Sequence, residues 1–141
     1  MELLWWLKRK KQRIDIEYPL ASKSLNMVWE QISSAHGLER WLANYVTEED
    51  GTFTFTWGEL WTEQDVRKAQ LIEYVKNDHI RLKWEEDEED DESYWEMRIG
   101  KSDLTGHLNL LITDFAEDDD ADGLRILWES NLERLHEASG L

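Results

Sequence analysis

The chain has 141 residues, 40% of them apolar, with 32 Asp and Glu against 16 Lys and Arg for a formal net charge of −16. This suits one domain with a real core, and the acidic excess excludes nucleic-acid binding, which draws affinity from Lys and Arg releasing counterions. Absent cysteine excludes disulfides, thiolate metal sites and a Cys nucleophile and fits a reducing cytoplasm, while no apolar run reaches the roughly 20 residues of a membrane span.

Residues 1–12 form an arm that is apolar (Leu3, Leu4, Trp5, Trp6, Leu7) and then basic (Lys8 to Lys11). A secretory signal runs in the opposite order. The arm reads as a packing segment, with a membrane-surface anchor as the alternative, since Trp and Lys suit that interface. The domain proper is expected over 13–141.

Arg13 to Tyr18 alternates, with Ile14, Ile16 and Tyr18 on one side, and reads as a half-buried strand ended by Pro19. Ser22 or Ser24 can cap a helix carrying Leu25, Val28, Trp29 and Ile32 at helical spacing. Gly37 breaks it, and a second short helix carries Leu38, Trp41 and Leu42. Both are too short to stand alone and must dock.

Strands follow. Asp50-Gly51 is a hairpin turn between Tyr45–Thr47 and Thr52–Trp57. The latter alternates Phe53, Phe55 and Trp57 with threonines. A strand over about Val66 to Val75 turns at Asn77-Asp78 into Ile80, Leu82 and Trp84. Glu85 to Glu92 is a run of eight acidic residues, too densely charged to bury, and reads as a solvated loop. Trp95, Met97 and Ile99 alternate again, and a last strand runs from about Gly106 to Phe115 through Leu108, Leu110 and Ile112. From about Asp120 to Ser139, Leu124, Leu127, Trp128, Asn131 and Leu135 form one helical stripe. Acidic residues open that helix and Gly140 can close it. The order implies an α+β fold: a curved antiparallel sheet of about six to seven strands, two short helices, and a long C-terminal helix.

The pattern Val28-Trp29, Ile32, Gly37-Leu38 and Trp41-Leu42 resembles the opening of START-like, helix-grip proteins (the SRPBCC, Bet v 1-like superfamily). Arg81 to Trp84 resembles the family's strand ending in Trp. Leu108 to Phe115 resembles its last strand, and Leu124 to Leu135 its closing helix. The resemblance covers about Arg13 to Gly140. It is nearest the bacterial START-like and Hsp90-ATPase-activator-like proteins. It implies a cavity between the concave sheet face and the C-terminal helix, which relatives often use for lipids or other hydrophobic ligands.

The expected cavity candidates are Trp41, Phe53, Phe55, Trp57, Leu82, Trp84, Trp95, Met97, Leu110, Ile112, Leu124 and Trp128. The competing expectation is that nine tryptophans fill the interior and leave no space. Asp118, Asp120, Asp122, Gly123 and Glu129 match the spacing of a calcium loop. Arg125 in a usually aliphatic position, a strand in place of an entering helix and the lack of a second loop make these an acidic helix start, so no metal or other cofactor is expected. His36, His79, His107 and His136 are scattered, and no nucleophile elbow or phosphate loop is present. The expected function is non-enzymatic binding of a small hydrophobic ligand or lipid. A protein-interaction module of the Hsp90-activator type and a cavity enzyme (cyclase or hydrolase) are the alternatives. A homodimer through exposed Trp is a further expectation.

Overall fold

A computed structural model describes residues 11–89, 92–117 and 119–141. The strands are β1 (Gln12–Pro19), β2 (Tyr45–Glu49), β3 (Thr52–Trp57), β4 (Asp65–Val75), β5 (His79–Trp84), β6 (Trp95–Lys101) and β7 (Leu108–Ala116). The helices are α1 (Leu25–Ser33), α2 (Ala35–Glu39) and α3 (Ala121–Ser139). All seven strands join one curved antiparallel sheet in the order β1-β7-β6-β5-β4-β3-β2. The first strand therefore returns to pair with the last, and α1 and α2 occupy the crossing between β1 and β2. The segment holding Trp5 and Trp6 lies outside the described residues.

Local chemistry explains the joints. Ser24 Oγ accepts from the Met27 N–H at the start of α1, and Ser34 Oγ accepts from the Gly37 N–H at the start of α2. Asp50 and Gly51 both take positive φ, 49° and 82°, which matches the twist of the hairpin they close. Gly140 ends α3 in the left-handed conformation and donates its N–H to the His136 carbonyl. A register shift between Leu71 and Glu73 bends β4 against β5.

The alternating strands bury one face. Ile80, Met97, Ile112 and Ile16 form a transverse row through paired positions on four strands, and the first three are at most 1% exposed. Helix α3 closes this face with Trp128, Leu132 and Leu135, all buried. Leu127, grouped with that stripe by spacing, is 54% exposed and stands at its edge. The acidic run is more tied down than a purely solvated loop. It opens as a 3-10 turn over Glu85–Asp87. Gln70 donates to Glu85, Arg67 pairs with Glu86, and Lys11 pairs with Asp87 at 3.0 Å.

Candidate functional site

The aromatic side chains leave a pocket that is open on one side. A cavity of about 300 Å³ remains between the sheet's concave face and α3. That is the lower end of the size usual for small-molecule sites. Strand alternation sends Phe55 and Trp57 from β3, Trp84 from β5 and Trp95 from β6 to the same face. Their rings form a connected belt. Phe55 stacks near Trp57 at 6.1 Å between centroids and meets Trp84 edge-on at 5.4 Å. Trp84 stacks on Trp95 at 5.2 Å, and Trp95 reaches Trp128 of α3 at 6.1 Å. These separations suit offset and edge-to-face attraction between rings.

Of the twelve cavity candidates, Phe55, Trp57, Trp84, Trp95, Leu124 and Trp128 line this space. Trp41, Phe53, Leu82, Met97, Leu110 and Ile112 lie in the buried core beside it. Trp41 donates its indole N–H to the Gln31 carbonyl at 2.9 Å and lies 6.2 Å from Trp128, so it braces α3. Three polar lining residues, Asp65, Arg67 and Asp114, were not anticipated, whereas Asn131 belongs to the helical stripe read from spacing. For Asp114 a signal was present. It continues the inward series Leu108, Leu110, Ile112 at period two, which puts its carboxyl on the core face.

Asp114 is 9% exposed. One carboxylate oxygen accepts from Trp128 Nε1 at 2.8 Å, and the other accepts from the Phe115 N–H at 2.7 Å. Burial pushes its pKa up to about 6, even though both hydrogen bonds and the charges of Arg67 and Lys11 favour the ionised form. Arg67 lies over the Trp84 ring, with its guanidinium carbon 4.0 Å from the centroid, and its charge is met by Glu86. The Trp57 indole N–H is held by the Leu42 carbonyl at 2.8 Å. Trp95 Nε1 is buried with no hydrogen-bond partner among the described residues.

A second, more polar space of about 270 Å³ adjoins the first. Arg67, Trp84, Asp114 and Leu124 border both. Glu86 and Asp87 of the acidic run line the second space. Among the described residues, the main cavity's lining has two carboxyls, Asp65 and Asp114, and no Ser, Thr, His or Lys. Its chemistry is apolar contact, cation–π attraction and proton exchange at one buried acid.

The calcium-loop residues sit elsewhere. Asp120 is the N-cap of α3 without a capping bond from its side chain, Asp122 lies in its first turn and Glu129 on its exposed side. Asp118 lies outside the described residues. Among the described residues, no group of three or more His, Asp or Glu could hold a metal ion. Also among them, no helix is long and apolar enough to cross a membrane.

A family model described as the START-like superfamily domain matches residues 8–141. A Bacteroides fragilis protein solved by solution NMR is 39% identical over 91% of this chain and 90% of its own, with a TM-score of 0.61. The Aha1 dimer from Colwellia psychrerythraea is 12% identical over 91% of this chain and 96% of its own, with a TM-score of 0.71. An AHSA1-like protein from Aeromonas hydrophila is 14% identical over 92% and 94%, with a TM-score of 0.70. At those identities the last two share the fold. Comparison with curated proteins finds no significant match.

Proposed function

The chain belongs to the START-like superfamily, and from that premise we propose that it is a non-enzymatic module holding a small hydrophobic ligand or lipid in the cavity under α3. The observation that carries this reading is the aromatic belt of Phe55, Trp57, Trp84, Trp95 and Trp128 around about 300 Å³ of space. In this reading the binding domain spans 13–141, residues 1–12 are an accessory arm, and a cytoplasmic setting fits a chain without cysteine.

A ligand that buries about 300 Å² of apolar surface gains roughly 7 kcal/mol before association costs. Lost motional freedom offsets part of this, which leaves affinity in the micromolar range. The test is displacement of a neutral naphthylamine dye by medium-chain alcohols, followed by calorimetry. Saturable binding that is weakened by Trp84→Ala supports the reading. Absence of both dye and alcohol binding at millimolar concentration overturns it.

A second reading, an interaction module, draws on the link between β3 and β4. There Leu60 and Trp61 are 76% and 80% exposed, next to each other. The Colwellia relative of this fold is a dimer, and a homodimer through this tip is the corresponding proposal. Sedimentation equilibrium of the chain and of its Trp61→Ser variant tests it: a monomer at all concentrations rejects it.

A further inference from the structure

Resting on the ligand-binding reading, we propose that the cavity prefers an apolar primary amine, its ammonium paired with the Asp114 carboxylate and its hydrocarbon laid against Trp57, Trp84 and Trp95. Three observations meet at this point. Asp114 is buried, yet its only hydrogen bonds among the described residues are single ones from Trp128 Nε1 and the Phe115 N–H. Each carboxylate oxygen retains acceptor capacity. No Lys or Arg forms a direct ion pair with it among the described residues; Arg67 is engaged by Glu86 and Trp84, and Lys11 by Asp87. A buried charge without a direct ion-pair partner is expensive, and a ligand ammonium supplies one.

The rings favour the same ligand. Tryptophan faces attract cations, most strongly where water is excluded. The net charge of −16 draws cations toward the protein and repels anions. An alcohol of equal length gains the apolar contact alone. A fatty acid would bring its carboxylate toward Asp114 and Asp65 with Arg67 already paired.

Ionisation of Asp114 sets the pH range. Lys11, from the residue before β1, and Arg67 of β4 favour its charged form. The carboxylate of Asp65 lies at the main cavity, and those of Glu86, Asp87, Glu117 and Asp120 lie at the adjoining space. Its pKa of about 6 leaves it mostly ionised at pH 7.5 and mostly neutral at pH 5.

The experiment is titration calorimetry of the full chain with octylamine, octanol and octanoate at pH 7.5. Octylamine should bind at least about tenfold more tightly than octanol, the equivalent of one hydrogen bond to a charged group, with octanoate weakest. Asp114→Asn should bring octylamine down to the level of octanol. In the unmodified protein, a shift to pH 5 should weaken octylamine and leave octanol unchanged, so the outcome does not depend on that variant folding. Octylamine binding without octanol binding also supports the proposal. Octylamine no tighter than octanol, octanoate tightest, or an amine preference that survives both Asp114→Asn and pH 5 overturns it while leaving the ligand-binding reading intact. Binding of none of the three removes both.

Discussion

Trp128 of α3 donates its indole N–H to the Asp114 carboxylate of β7 at 2.8 Å, so the closing helix is pinned to the last strand at the polar point of the cavity. Both residues are buried. Trp128→Phe keeps a ring in the belt but removes the donor. Losing a hydrogen bond to a charged group costs about 1.5–3 kcal/mol. Urea denaturation at pH 7.5 should show that loss, and carbon-13 carboxyl NMR should show the Asp114 pKa moving further up. An unchanged pKa would mean that the bond does not stabilise the ionised form.

The Asp114 carboxyl also imposes a pH dependence on stability. Its pKa is raised to about 6 by burial, against about 3.9 in an unfolded chain. The fold thus favours the neutral acid. The stability contribution is complete below about pH 4 and is lost as pH rises through about 6, a change on the order of 3 kcal/mol. Asp114→Asn removes this dependence, although one of the two donors then loses its acceptor. Stability of the original protein relative to the variant should therefore fall between pH 4 and pH 7. Parallel curves would count against a raised pKa.

His79 is 5% exposed, with one ring nitrogen 2.5 Å from Glu73 Oε1 and the other bonded to Asp78. Burial lowers its pKa, but the two carboxylate hydrogen bonds outweigh burial and raise it overall. The imidazolium therefore stabilises the fold fully below about pH 6.5, and that contribution is lost as pH rises through the raised value. Proton NMR of the ring should give a midpoint above about 6.5, and the stability advantage over His79→Asn should shrink toward alkaline pH. A midpoint below the unperturbed value would show that burial wins.

Gly37 lets α2 turn tightly against α1. A Cβ placed there would lie 1.9 Å from the Glu30 carbonyl oxygen and 2.9 Å from Gln31 Cα, both backbone atoms that cannot rotate away. Gly37→Ala should destabilise by more than about 3 kcal/mol, as overpacking against fixed backbone does in exceptional cases. Chemical denaturation measures it, and a near-neutral result would mean that the two helices can shift apart.

Two tryptophans should behave in opposite ways. Trp95 is 2% exposed and contacts Phe55, Trp84 and Trp128, so Trp95→Ala should cost about 3–5 kcal/mol. Trp61 is 80% exposed, so Trp61→Ser should change monomer stability by less than about 0.5 kcal/mol. A larger loss at Trp61 that depends on protein concentration would point to an interface there.

Much of this architecture is visible in local pattern. Period-two alternation in Thr52–Trp57 and Leu108–Ala116 selects the inward residues, because a pleated strand sends successive side chains to opposite faces. The same parity carries Asp114 to the core, although a lone acid among leucines is easily passed over. The Asp50-Gly51 turn and the Gly140 stop also follow from backbone preferences of single residues. Alternation does not separate Phe53 and Met97, packed in the core, from Phe55 and Trp95, on the cavity wall. All four face inward. That division depends on the gap between the bent sheet and α3, which is fixed by contacts such as Trp128 with Asp114, Trp41 with Trp128 and Arg134 with the Trp41 carbonyl. The sequence by itself determined the order of strands and helices and the inward side of the alternating strands, though not the exposed place of Leu127. Only the tertiary structure decided that a space survives among the tryptophans and that a buried carboxyl borders it, because void volume and desolvation are set by elements distant along the chain.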